Sequence, residues 1–155
     1  MADMLVKLYD LPPLSEALRG TSAARITIRR ALVPERDVVV AWTRDLFPSW
    51  ATEVEVAFAR EPVRCLVAVR DKELLGFACH DVVCRNFFGP TGVAPDARHR
   101  GIGRALLLAT LHAQHAMGYA YAIIAGVGPE QFYIDAVNAI PIPQSTPGIY
   151  ARMLR

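Results

Sequence analysis

The spacing of apolar residues changes several times along the chain, and each change marks an element. "RITIRRA" (25–31) alternates apolar and polar positions with β-branched residues, which predicts a strand. Pro34 then stands where a first-turn proline belongs, and "ERDVVVAWTRDLF" follows with helical spacing. Pro48 ends that helix, and "SWATEVEVAFAR" predicts a second helix with Ser49 as its cap. "VRCLVAV" (63–69) and "ELLGFACHDVVC" (73–84) read as strands joined by the tight "RDKE" turn. "FFGPTGV" (87–93) is a third, glycine-interrupted strand. "GRALLLATLHAQHAMG" (103–118) is a helix closed by Gly118, and "YAYAIIAG" (119–126) is a buried strand. "PEQFYIDAV" (129–137) is a short helix, and "AIPIPQ" and "GIYARML" close the chain in strand-like segments.

Residues 1–23 mix apolar residues with Pro12, Pro13 and Gly20, and are expected as an extension packed on a single domain that spans 1–155. The order is therefore β-α-α-β-β-β-α-β-α-β. A hairpin meander followed by a strand–helix–strand crossover predicts the α/β class, with a mixed central β-sheet flanked by helices.

Composition narrows the function classes. With 155 residues, 53% hydrophobic and 21% charged, the chain has the make-up of one globular domain with a substantial core. A net charge of +2 is too small to argue for nucleic acid from bulk electrostatics, so any functional positive charge is local. Cys65, Cys79 and Cys84 are odd in number, lack a metal-ligand spacing and lie in apolar segments, which favours reduced thiols and a cytoplasmic location. No apolar run approaches the roughly 20 residues of a membrane helix, and the start lacks the pattern of a signal peptide.

The most basic stretch surrounds two glycines. "APDARHRGIGRALL" (94–107) places Arg98, Arg100 and Arg104 around Gly101 and Gly103, at the start of the third long helix. Glycines let a ligand approach the backbone closely, and the amides that begin a helix lack intrahelical acceptors and sit at its positive end. An anionic diphosphate suits such a place, while a solvated, ordinary helix start is the plain alternative. The dinucleotide fingerprint fails, because Leu106 stands where its third glycine belongs. No Gly-Lys-Ser/Thr follows, so a P-loop fails as well.

"VAPDARHRGIGRALL" resembles the acyl-CoA-binding motif of the GNAT superfamily of N-acyltransferases, Arg/Gln-x-x-Gly-x-Gly/Ala, which falls here on Arg98, Gly101 and Gly103. The family places it after a strand ending in a Val-x-Pro-like step, supplied by Val93 and Pro95, and the element order from about residue 24 onward matches the GNAT fold. The resemblance implies acetyl-CoA as acyl donor and no metal. It assigns cofactor contacts to Val93 and Ala94, to Arg98, Arg100 and Arg104, and to the amides of Gly101, Ile102 and Gly103. The Val93 N–H is expected to face the acetyl carbonyl as an oxyanion contact.

GNAT enzymes commonly carry a tyrosine after the fifth strand that protonates the departing thiolate, and Tyr133 in "EQFYIDAVNA" takes that place. The family often has Tyr-x-x-Leu-Gly-Phe there, whereas this segment is one residue longer and ends Asn138-Ala139. For the general base, Glu53, Glu130, His80 and Asp81 are candidates, as is a water chain. His80 and Asp81 alternate along a strand, so only one is expected on a given side. His112 and His115, three apart, lack a third metal ligand and are expected on the solvent face. Trp42, Phe47 and Trp50 cluster where the first two helices join, a region that the resemblance places at the border of the acceptor pocket, with aromatic core packing as the plain alternative.

The sequence therefore predicts an N-acetyltransferase that moves acetyl to a small-molecule or peptide amine by direct attack in a ternary complex. The other readings are a longer acyl donor, a non-catalytic acyl-CoA sensor, and a nucleic-acid contact, which lacks the interleaved aromatics and wide basic face it needs. No membrane partner is expected; dimers are common among similar proteins, so the resemblance allows a homodimer, and the sequence itself does not decide the assembly.

Overall fold

The structure is a computed structural model and describes residues 2–154. Seven strands, β1 (Met4–Lys7), β2 (Thr27–Arg30), β3 (Cys65–Arg70), β4 (Glu73–His80), β5 (Phe87–Val93), β6 (Tyr121–Ile124) and β7 (Ile140–Pro141), form one sheet in the order β2-β3-β4-β5-β6-β1-β7. Five helices cover it: α1 (Leu14–Ala23), α2 (Arg36–Leu46), α3 (Ala51–Phe58), α4 (Ile102–Ala116) and α5 (Glu130–Val137). Every neighbouring pair is antiparallel except β5 and β6. The parallel pair is joined through α4, as a parallel connection needs a crossover.

From β2 to β7 the observed order is the predicted one. The difference lies at the N-terminus. Residues 4–7 are not laid on the domain but form a strand inside the sheet, between β6 and β7, with Val6 opposite Ala122 and Leu5 opposite Ile140. Met4 and Val6 are wholly buried, so this segment carries core rather than covering it. Four residues followed by Pro12 and Pro13 offered too short a pattern to read as a strand.

The β3–β4 hairpin turns on Asp71 and Lys72, both with positive φ (48° and 68°), the geometry of a two-residue turn matched to strand twist. Both strands are buried on both faces. Leu66 and Ala68 join the core beneath α4, while Cys65, Val67, Phe77 and Cys79 join the core beneath α2 and α3. β4 ends at His80 instead of continuing to Cys84, because Asp81 (φ 55°) turns the chain and its Oδ1 accepts the Asn86 N–H at 2.7 Å. The expected closing strand at 148–154 is instead a 3-10 turn over Gly148–Arg152. Nor does Ser49 cap α3, whose first residue follows a 3-10 turn with no side-chain cap.

Glu35 joins β2 to α2. Its carboxylate accepts from both terminal nitrogens of Arg29, at 2.9 and 2.6 Å, and from the Leu32 N–H at 2.7 Å. The Arg29 guanidinium holds this carboxyl down at about 2.

Candidate active site

β5 and β6 pair only at Phe87–Ile123 and Phe88–Ile124, and then part. Beyond Phe88 the β6-facing edge of β5 is without a strand partner. The Ala94 N–H donates to the Leu75 carbonyl at 2.9 Å, which makes Ala94–Leu75 a hydrogen-bonded pair of the antiparallel ladder. Alternate positions of such a ladder turn their N–H and C=O away from the partner strand, so Val93 and Thr91 point theirs into the gap. The Val93 carbonyl accepts Arg98 Nε at 3.2 Å. Its N–H remains directed into the opening.

Gly101 precedes α4 in the left-handed region (φ 78°), and no side chain caps the helix. The first intrahelical bond runs from the Ala105 N–H to the Gly101 carbonyl at 3.0 Å. The amides of Ile102, Gly103 and Arg104 therefore have no acceptor within the helix. A Cβ on Gly103 would meet nothing nearer than Phe132 Cζ at 3.8 Å and Val93 Cγ2 at 3.9 Å, so the fold itself leaves the space open. These groups fit a diphosphate: free N–H donors, a helix start and two guanidinium groups at one opening.

That opening is a cavity of about 420 Å³, lined among others by Val93, Arg98, Gly101, Ile102, Gly103 and Arg104. A second cavity of about 530 Å³ adjoins it at the parted strands, lined by Glu53, Gly126, Gly128, Tyr150 and Met153 among others. The two share Trp50, Phe88, Thr91, Pro129 and Tyr133. Tyr133, on α5, is 8% exposed and packs edge-on against Phe132 at 5.0 Å and Phe88 at 6.5 Å. Burial raises its hydroxyl pKa above the ordinary tyrosine value, so it keeps its proton at neutral pH. Glu53, on α3, has a buried Oε2 with no hydrogen-bond partner, and burial raises its carboxyl pKa.

Not every candidate reaches this place. Glu130 is exposed on the first turn of α5 and lines neither cavity. Ala94 is buried with its N–H committed to β4, and Arg100 is exposed outside both linings. His80 and Asp81 do not take opposite sides. Asp81 leaves the strand with positive φ, and its Oδ2 meets His80 Nδ1 at 2.5 Å, away from both cavities. His112 does not face solvent but bonds the Pro12 carbonyl through Nε2 at 2.9 Å, tying α4 to the N-terminal segment. Among the described residues no group of three or more His, Cys, Asp and Glu is placed to hold a metal.

The two readings of the aromatic cluster divide between its members: Trp50 lines both cavities, whereas Trp42 packs on Phe77 and lines neither. Two features escaped the sequence. Phe47 packs closely against Gly92, where a glycine inside a strand was the available signal of close approach. The C-terminal turn supplies Tyr150 and Met153 to the second cavity, a contact between distant segments that no local pattern announces.

A mixed sheet with one parallel pair splayed beside an uncapped, glycine-led helix is the architecture of the GNAT acetyltransferases. Residues 61–137, about half of the chain, match the family model described as the acetyltransferase (GNAT) domain, and the chain belongs to that superfamily. Solved structures agree in fold. A GCN5-related glucosamine N-acetyltransferase region of a fungal multi-domain β-N-acetylglucosaminidase superposes with a TM-score of 0.76 at 16% identity, covering 91% of this chain and 19% of that one. A GCN5-related N-acetyltransferase from Sphaerobacter thermophilus gives 0.68 at 17% identity, covering 91% and 48%. A Drosophila protein gives 0.66 at 16%, covering 91% and 47%. The chain thus spans less than half the length of each of these. No curated protein matches it. No helix among the described residues is long and apolar enough to cross a membrane.

Proposed function

We propose that this domain transfers acetyl from acetyl-CoA to a primary amine by direct attack, with both substrates bound at once. One observation carries the reading: the cavity at the α4 amides and the cavity holding Glu53 share a wall that contains Tyr133. A donor entering from one side and an acceptor from the other meet between the parted strands.

The α4 amides, Arg98 and Arg104 hold the diphosphate end of the donor, whose thioester supplies the activated acetyl group. The Val93 N–H is directed to where negative charge develops on the carbonyl oxygen. Glu53 accepts the proton that a protonated amine must lose before attack, and burial makes its carboxylate a stronger base than an exposed one. As the nitrogen–carbon bond forms and the carbon–sulfur bond breaks, Tyr133 donates its hydroxyl proton to the leaving sulfur. As the tetrahedral adduct collapses to the amide the nitrogen sheds its second proton, which returns to the Tyr133 oxygen, and Glu53 releases the first to solvent, so each turnover liberates one proton net. Among the described residues no cysteine lines either cavity, consistent with direct attack rather than a covalent enzyme intermediate.

The test is thiol release from acetyl-CoA with and without a panel of amines, alongside calorimetry with CoA. An amine that accelerates release above background hydrolysis supports the transferase. Tight acetyl-CoA binding that survives every amine identifies a sensor instead.

A further inference from the structure

The second cavity says more about the acceptor than that it is an amine. Its described lining contains one formally charged side chain, Glu53, and neither arginine nor lysine. Glu53 Oε2 is buried without a partner, a cost in free energy unless a donor completes it. A second carboxylate lies close behind this wall. Asp3 is 9% exposed, and its Oδ1 accepts the N–H of Gly126, one of the lining residues, at 3.2 Å. Burial first, then the nearby Glu53, Cys84 and Asp3, raise the Tyr150 hydroxyl pKa and keep it neutral. The field in the cavity is therefore negative, and a ligand carboxylate or phosphate finds no cation there.

Most of the rest of the lining is apolar. Trp50, Phe87, Phe88, Tyr133 and Tyr150 supply five aromatic rings, and Val83, Pro90, Ile124, Val127 and Met153 add aliphatic surface. Polar side chains are few, Ser49 and Thr91 beside the two tyrosines. A polyhydroxylated body would find few partners beyond these side chains and the free backbone edge at Thr91, and a polyamine would place its further charges against hydrocarbon. The volume, about 530 Å³, is that of a small-molecule site.

We infer that the acceptor is a small monocationic amine with an aromatic or aliphatic body and no carboxylate, its ammonium held by Glu53 and its body by the aromatic wall around Tyr150. This rests on the acetyl-transfer reading for its chemistry, but not for its binding.

2-Phenylethylamine is the probe, set against phenylalanine (the same body with a carboxylate), glucosamine and spermidine. Each is titrated calorimetrically into the protein and tested for acetyl-CoA-dependent thiol release. Phenylethylamine is expected to bind at least tenfold more tightly than the other three and to lead in kcat/KM by a similar margin. Glu53→Gln should weaken phenylethylamine tenfold or more while leaving the uncharged 2-phenylethanol within twofold. Preference for phenylalanine, glucosamine or spermidine overturns the inferred class and leaves the transferase intact. Failure of phenylethylamine to bind the wild-type protein overturns it too. Binding with the expected selectivity but no thiol release from any amine sinks the transferase reading and leaves the cavity's ligand class standing.

Discussion

The ring of Phe47 rests on the backbone of Gly92: a Cβ built on Gly92 would lie 2.8 Å from Phe47 Cε2. Phe47 in turn stacks on Trp50 at 5.2 Å, and Trp50 lines both cavities. Gly92→Ala should therefore displace the aromatic wall and cost about 1–3 kcal/mol from overpacking. Because Gly92 does not have positive φ, the cost is steric, and Phe47→Leu should restore much of it. Chemical denaturation of both single variants and the pair checks this; additive losses would contradict it.

The cradle separates binding from folding. Gly103→Ala adds a methyl at ordinary contact distances, so the melting temperature should hardly move while CoA affinity falls by tenfold or more. Gly101→Ala should differ, since φ 78° penalises any side chain by roughly 1–2 kcal/mol before a ligand is present. Arg98→Ala removes the cap on the Val93 carbonyl and one guanidinium, and should weaken CoA in a salt-sensitive way. Calorimetry at two salt concentrations, with melting curves, distinguishes the three.

Tyr133→Phe removes one oxygen from a side chain that makes no hydrogen bond among the described residues, so its packing on Phe132 and Phe88 survives. Turnover should fall about 10²–10⁴-fold with little change in acetyl-CoA affinity. Turnover within a few-fold of wild type would return Tyr133 to a packing role.

Acid should loosen the β2–α2 junction first. Glu35 has a native pKa of about 2 against an ordinary 4.5, so the folded state binds this proton less tightly than the unfolded one. Its contribution is present above about pH 4.5 and is lost as pH falls toward 2. Urea midpoints for Glu35→Gln and wild type should differ at neutral pH and converge as pH drops through that window. Glu53 has the opposite sign: its raised pKa means that deprotonation disfavours the fold, so Glu53→Gln should be at least as stable as wild type at neutral pH.

Local chemistry wrote much of this molecule into its sequence. β-Branched alternation, prolines at helix starts and the Asp71-Lys72 turn act within a few residues, and the elements from β2 to β7 follow from them. The glycine loop was legible for the same reason: Gly101 and the free amides of α4 need nothing beyond their own backbone. What only the tertiary structure decided are contacts between segments far apart in the chain. Whether Glu53 or Glu130 faces the gap depends on how α3 and α5 pack, and their spacing is silent on it. The entry of β1 between β6 and β7 depends on an edge that exists only once the sheet has formed. The second cavity takes its walls from α3, β5, the loop after β6, α5 and the C-terminal turn, so its charge and its aromatic lining belong to the folded chain alone.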